Sequence, residues 1–240
     1  MGLLDLPSWV FSWTDATLAG LLPAGARIVL WGSVGAVVSL GLYWLVSPQQ
    51  RMARIAAAER GLKRTMWDEN AAIDEGFAAA RELVRLALAR LGLVLVPVLI
   101  AALPVLSLAA WLHTQYGFAL PPPGQVASVK AEPHTAQVRW VAAGAAPARV
   151  EVLDGQGFIL QSVPVLVPVP IIHKRAWWNV LIGNPLGYLP NDSPVDGIEI
   201  GLPKQQYLSV GPDWIRGWEA LFFAALLAGS LLLKSVLRIR

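Results

Sequence analysis

The chain has 240 residues, of which 55% are hydrophobic and 15% are charged, with a formal net charge of +3 and no cysteine. Soluble domains carry about a quarter charged residues, so this balance indicates a protein that is partly surrounded by lipid. The absence of cysteine excludes a disulfide framework, thiolate metal sites and a cysteine nucleophile.

The first segment, residues 1–26, has Trp9 and Trp13 shortly after Pro7 and Ser8. Proline followed by serine is typical of a helix start, and tryptophans on a short helix favour the membrane surface. Two interpretations stay open for this segment, namely an interfacial helix and a loosely ordered N-terminus.

Three apolar runs are each long enough to cross a hydrocarbon core of roughly 30 Å as a helix. Because backbone amides in lipid must be satisfied within the segment, each run is predicted to be helical. Three such runs with basic edges favour membrane spans over the buried helices of a soluble protein. The predicted spans are residues 27–47, 91–112 and 214–234.

Small residues recur one helical turn apart in the first span. They allow close approach of another helix, so they predict a helix-packing face; they are Gly32, Gly35, Ala36 and Ser39. The second span contains Pro97 and Pro104, each of which favours a kink.

Charge is confined to the edges of the spans. Arg27 and Glu219 both lie at the outer edge, where they could pair, although each can also reach water at the interface. Tryptophans near the span ends, and in the segment before the third span, are predicted as interfacial anchors. They are Trp31, Trp111, Trp177, Trp178, Trp214 and Trp218.

The distribution of lysine and arginine predicts the orientation. Basic residues are retained on the cytoplasmic side, so residues 48–90 and the basic tail 235–240 are expected inside. Residues 1–26 and 113–213 are then outside, which gives an N-out, C-in protein of the inner (plasma) membrane with a periplasmic domain.

Residues 48–90 have helix-forming composition without proline after Pro48. Apolar residues at heptad-like spacing, Phe77 and Val84 among them, predict two helices folded back on each other, with a turn at Trp67–Asn70. A single bent helix on the lipid headgroups is the alternative. We refer to this segment as the basic hairpin. Its candidate interaction residues are Arg60, Lys63 and Arg64.

Residues 113–213 are predicted to form a β-rich domain, either a small sandwich or a partly irregular fold. Residues 154–157 read Asp-Gly-Gln-Gly, a hairpin-turn signal. The predicted strands are 125–130, 136–141, 149–153, 158–163 and 198–202. Residues 173–178 combine bases with two tryptophans, which is typical either of a surface that meets lipid headgroups or of buried indoles beside solvated bases.

Chemical sites are not evident in this sequence. His113, His134 and His173 are far apart and carry no metal-ligand spacing. Nucleophile elbows, phosphate-binding loops and paired-carboxylate signatures are missing as well. The sequence therefore predicts a protein without a cofactor or metal that is not an enzyme.

The order of these segments resembles the YidC/Oxa insertase superfamily, which includes three-span archaeal and endoplasmic-reticulum relatives. The similarity covers Arg27 to Leu112 and the third span. The shared features are an N-out first span, a basic hairpin after it and two further spans. The hairpin opens with Ser47-Pro48-Gln49-Gln50-Arg51-Met52 and continues to Arg90. The resemblance implies a hairpin that meets ribosomes or client chains and spans that form an open hydrophilic groove.

Two functions follow as hypotheses. The first is an insertase-like factor that aids insertion or assembly of other membrane proteins, which the hairpin favours. The second is a structural subunit of a larger inner-membrane complex that docks through the first span and the outer domain, which the scarcity of polar residues in the spans favours. The expected partners are the lipid bilayer, membrane proteins as clients or neighbours and, through the hairpin, the ribosome.

Overall fold

A computed structural model describes residues 2–66, 73–133, 136–144 and 146–237. The α-helices in this part of the chain are α1 (Ser8–Leu18), α2 (Ala24–Val46), α3 (Gln49–Met66), α4 (Ile73–Tyr116), α5 (Asp213–Arg216) and α6 (Trp218–Leu237). The strands are β1 (Ser128–Glu132), β2 (Gln137–Val141), β3 (Arg149–Leu153), β4 (Ile159–Pro164), β5 (Ile171–His173) and β6 (Gly197–Gly201). Short 3₁₀ turns occupy Leu3–Asp5 and Trp177–Val180.

Three helical stretches in the described residues are long and apolar enough to cross a membrane. They are Ala24–Val46, Gly76–Tyr116 and Trp218–Val236. This confirms the prediction of three such helices. The tail residues 238–240 lie outside the described part of the chain.

Helix α4 joins two segments that the sequence analysis separated. It runs without interruption for 44 residues, so the second half of the basic hairpin and the second span form one helix. Pro97 and Pro104 both lie inside it. Prolines are tolerated in membrane helices where neighbours and local adjustments satisfy the freed carbonyls. The predicted turn at Trp67–Asn70 falls outside the described residues.

Two antiparallel three-stranded sheets make up the β region, residues 117–207. One has the order β1-β6-β5 and the other β2-β3-β4. Both sheets contribute side chains to a single hydrophobic core, which includes Trp140, Val150, Val152, Ile172, Ile198 and Ile200. The five predicted strands are present: β3 has the predicted bounds, and the other four have ends shifted by one to three residues. Strand β5 is not among the predicted strands; it follows Pro168 and Pro170, which favour an extended edge segment, and it lies at the edge of its sheet.

The predicted hairpin turn joins β3 to β4. The Asp154 amide donates to the Phe158 carbonyl at 2.9 Å, while the Asp154 carboxylate accepts from the amides of Gln156 and Phe158, both at 2.8 Å. Gly157 has a φ of +89°, a conformation that side chains with a Cβ rarely adopt. This explains the glycine at the end of the turn.

A buried carboxylate ties two strands of the second sheet together. Glu151 is 1% exposed and accepts from Arg139 Nη2 at 2.6 Å and Arg149 Nε at 2.8 Å. Hydrogen bonds from Arg139, which contributes most, and from Arg149 hold the pKa of Glu151 below its usual value. The carboxylate therefore stays ionised near neutral pH and keeps both guanidinium groups in place.

The chain divides into two compact units. The first unit comprises residues 1–35 and 106–240, and the second comprises residues 36–105. Helices α2 and α4 contribute to both units. The first unit contains the β region, α1, α5, α6, residues 24–35 of α2 and residues 106–116 of α4. The second contains residues 36–46 of α2, α3 and the greater part of α4.

Candidate functional site

The second unit contains a groove between α3 and α4. Its volume is about 600 Å³. The α4 wall is apolar and consists of Leu83, Val84, Ala87, Leu91 and Val94, and the charged rim consists of Glu59, Lys63 and Arg90. The Arg90 guanidinium contacts the Glu59 carboxylate at 3.2 Å, which joins the two helices at one end of the groove.

Beside this groove, α4 exposes a stripe of large apolar side chains. An α-helix advances 100° per residue, so positions 77, 84, 88, 91 and 95 fall on one narrow face. All five are exposed, by fractions from 50% to 73%: Phe77, Val84, Leu88, Leu91 and Leu95. We call this set the α4 stripe. Val84 and Leu91 belong both to the stripe and to the groove wall.

The stripe has no partner within the described chain. The basic part of α4, which carries Arg81, Arg85 and Arg90, would ordinarily face water, and there exposed residues such as Phe77 and Val84 are unfavourable. Contiguous exposed apolar surface with a charged rim is typical of an interaction site. The groove and stripe therefore form the candidate functional site.

Comparisons with protein-family models, curated proteins and solved structures find no match.

The predicted interaction residues lie on α3. Arg60, Lys63 and Arg64 are all exposed, and Lys63 is part of the groove rim. Arg60 Nε donates to the Ala56 carbonyl at 3.1 Å. The structure therefore brings one of the three predicted bases to the groove and leaves all three accessible.

The first unit contains a polar cluster that the sequence analysis missed. The carboxylate of Asp15, on α1, accepts hydrogen bonds from Trp31 Nε1 at 3.0 Å and from the Tyr116 hydroxyl at 2.6 Å. It also forms an ion pair with Arg27. Asp15 is only 9% exposed, so these three donors replace the water that the carboxylate loses.

Arg27 was considered either as a possible partner of Glu219 or as a side chain that reaches water at the interface, and in the structure it pairs with Asp15. Its guanidinium contacts Asp15 and lies 5.6 Å from the centre of the Tyr116 ring. Asp15 can reach Arg27, twelve positions later in the chain, because α1 folds beside the start of α2. The local sequence signal was a lone carboxylate in an apolar segment.

Tyr207 extends this cluster into the β region. Its hydroxyl lies 2.7 Å from Gln205 Oε1 and 3.1 Å from the Tyr116 carbonyl oxygen, two acceptors for its single proton. Burial, the largest cause, raises the pKa of Tyr207 to about 12. The phenol therefore remains protonated at neutral pH and can donate to either of these acceptors.

Three of the predicted interfacial anchors are buried inside the protein. Trp31, Trp111 and Trp218 are 6%, 5% and 4% exposed. The Trp31 and Trp111 rings pack edge to face at 5.3 Å, and Trp111 Nε1 donates to the Ser12 hydroxyl at 2.9 Å. Their position near the span ends reflects packing of the helices on each other rather than exposure to headgroups.

The other three predicted anchors are exposed. Trp177, Trp178 and Trp214 are 84%, 42% and 78% exposed. Trp177 and Trp178 form the 3₁₀ turn that follows the bases Lys174 and Arg175. For these three tryptophans the anchoring role stays a prediction.

The predicted helix-packing face of α2 lies against other parts of the same chain. A Cβ on Gly32 would lie 2.6 Å from the Phe222 carbonyl oxygen of α6. Gly35 faces Leu108 of α4 and Leu226 of α6. In the second unit, the Ser39 hydroxyl donates to the Ala101 carbonyl at 2.7 Å, and Ala36 is fully buried.

Proposed function

We propose that this chain is an insertase-like factor that binds an apolar segment of a client protein along the α4 stripe. The observation that carries the proposal is the stripe itself, which starts among basic residues and continues into the most apolar part of α4. A client helix that packed there would cover Val84, Leu88 and Leu91, the way an amphipathic helix fills an apolar groove.

Charge at the rim of the groove supports the same proposal. Lys63 and Arg90 lie beside the apolar wall, and Arg60 and Arg64 extend the basic surface along α3. Basic surfaces attract ribosomal RNA, anionic lipid headgroups and acidic flanks of client segments. The ribosome, the bilayer and client membrane proteins are the partners that we propose for this surface.

The proposal includes an orientation. The short basic segment between the first two spans would remain in the cytoplasm, with the β region outside the inner membrane. A client would then meet the hairpin first and reach the bilayer along α4. This arrangement is similar to that of the YidC/Oxa insertases, and the proposal extends the function of that superfamily to this chain.

Reversal of three charges on α3 tests the proposal. Arg60→Glu, Lys63→Glu and Arg64→Glu together should lower the insertion rate of single-span clients roughly tenfold, if each exposed charge contributes about 0.5 kcal/mol to encounter or binding. The measurement is insertion of clients synthesised in vitro into proteoliposomes that contain the full chain.

The matched control exchanges the same residues without loss of charge, as Arg60→Lys, Lys63→Arg and Arg64→Lys. This variant should insert clients at close to the unmodified rate. Normal insertion by the charge-reversed protein, with the protein still folded in the vesicles, would rule out a role for the basic surface.

A structural subunit of a larger membrane complex is the second candidate. The observation that favours it is the face of α2 formed by Val34, Val37 and Val38, which are 38%, 55% and 42% exposed. Helices α4 and α6 already pack against Gly32 and Gly35. A partner subunit would therefore dock on this valine face instead. Co-purification of a few partners at fixed stoichiometry from native membranes would favour the subunit, and a heterogeneous set with ribosomal proteins would favour the insertase.

A further inference from the structure

The first unit contains a cavity where α4 ends and α6 begins. Its volume is about 510 Å³. The side chains at its wall come from the end of α4, from the segment after β6 and from the start of α6. They include His113, Lys204, Gln206, Asp213, Trp218 and Glu219.

One wall of this cavity has a hydrogen-bond donor without an acceptor. Trp218 is 4% exposed, and its indole nitrogen is buried with no hydrogen-bond partner in the described structure. Buried donors are nearly always paired, because an unpaired one costs about 1–3 kcal/mol. Because this nitrogen is closed to solvent, a ligand oxygen in the cavity would reach it only after the Trp218 side chain turns toward the cavity.

Charges of both signs line the same cavity. Lys204 and Glu219 are exposed and form no ion pair with any residue that the structure describes. Asp213, by contrast, lies 3.5 Å from Arg216. The free charges are therefore one ammonium and one carboxylate, a pair that complements a ligand with a separated anion and cation.

We propose that this cavity binds a phosphate ester that carries a primary ammonium, with Lys204 on the phosphate and Glu219 on the ammonium. Once its side chain turns toward the cavity, the Trp218 N–H would donate to a phosphate oxygen. The ligand is the headgroup of a phosphatidylethanolamine-type lipid, because the cavity lies at the end of two helices that are apolar enough to cross a membrane. Beyond it, α6 exposes Phe223 and Leu227, by 50% and 62%, to receive the acyl chains.

The test measures lipid binding by the full chain. Protein in detergent is titrated with dioleoylphosphatidylethanolamine or dioleoylphosphatidylglycerol, and bound lipid is measured by native mass spectrometry. We expect preferential binding of the ethanolamine lipid. Lys204→Gln and Glu219→Gln should each weaken that binding about tenfold, the factor that corresponds to loss of one charge-assisted hydrogen bond.

Matched controls separate this site from general charge effects. Arg175→Gln and Glu199→Gln remove exposed charges that do not line the cavity, and they should leave lipid binding unchanged. Gln206→Trp should fill the cavity and reduce binding without change of charge.

Three results would overturn the proposal. One is equal binding of the two lipids by the unmodified protein, a comparison that needs no variant to fold. Another is unchanged ethanolamine-lipid binding by folded Lys204→Gln and Glu219→Gln. The third is binding of soluble O-phosphoethanolamine as tightly as the lipid, which would assign the cavity to a free phosphate ester.

Discussion

Gly32→Leu should destabilise the first unit by about 3 kcal/mol, at the upper end of the usual cost of overpacking. A Cβ at this position would lie 2.6 Å from the Phe222 carbonyl oxygen and 2.8 Å from the Ala225 Cβ. The first contact is with backbone, so a side-chain rotation cannot relieve it, and α2 and α6 would have to separate. Thermal unfolding in detergent should show a melting temperature lower by roughly 10 °C.

Gly41→Leu is the matched control on the same helix. A Cβ at Gly41 would meet nothing within 4 Å, and leucine has a helix propensity better than that of glycine by nearly 1 kcal/mol. This variant should be as stable as the unmodified protein or slightly more stable. Equal stability of the Gly32 and Gly41 variants would contradict the close packing of α2 on α6.

Asp15→Leu should destabilise the protein by a similar amount, about 3 kcal/mol. The substitution leaves the Arg27 charge, the Trp31 N–H and the Tyr116 hydroxyl without their shared acceptor. Removal of one partner of a buried ion pair is costly because the other charge stays buried and uncompensated. Thermal unfolding again gives the measurement, with Asp192→Asn, an exposed turn residue, as the control that should have little effect.

A double-mutant cycle with Arg27→Leu distinguishes this ion pair from simple loss of packing. The double variant should be more stable than the sum of the two single effects predicts, because it buries no unpaired charge. Additive destabilisation would mean that Asp15 and Arg27 act independently, against the geometry of the cluster.

The sequence was sufficient for the elements with a strong local signal. The three long helices follow from the length of their apolar runs, and the β3–β4 hairpin follows from Asp154 and Gly157. In both cases the physical requirement is local: enough apolar residues to cross lipid, or a backbone conformation that glycine adopts easily. Four of the five predicted strands have ends shifted by one to three residues, because pairing partners, rather than composition, decide where a strand stops.

The elements that sequence reasoning missed depend on distant partners. Asp15 and Arg27 pair only because α1 folds against α2. Their positions in the sequence do not show whether Arg27 pairs with Asp15 or with Glu219. Strand β5 is three residues long and depends on β6 for its hydrogen bonds. Trp31 and Trp111 are buried although they were predicted as interfacial anchors, because position along a span does not reveal which side of the helix is buried.

The candidate site was only partly accessible from the sequence. Arg60, Lys63 and Arg64 were identified by their charge, and Phe77 and Val84 by their heptad-like spacing. That spacing indicated mutual packing of two helices, whereas the structure exposes both residues. Composition alone did not reveal that the helix of the basic segment continues without a break into the second span and so forms α4.

Site-specific photo-crosslinking from the α4 stripe tests the central proposal most directly. A photoreactive amino acid is placed at Val84, at Leu91 or, as a control, at Ala89, which is exposed on the opposite face of α4 and does not line the groove. Single-span clients are then synthesised in the presence of membranes that contain each variant. We expect crosslinks to the client's apolar segment from positions 84 and 91 and few from position 89. No crosslinks from the stripe, or equal crosslinking at all three positions, would contradict it.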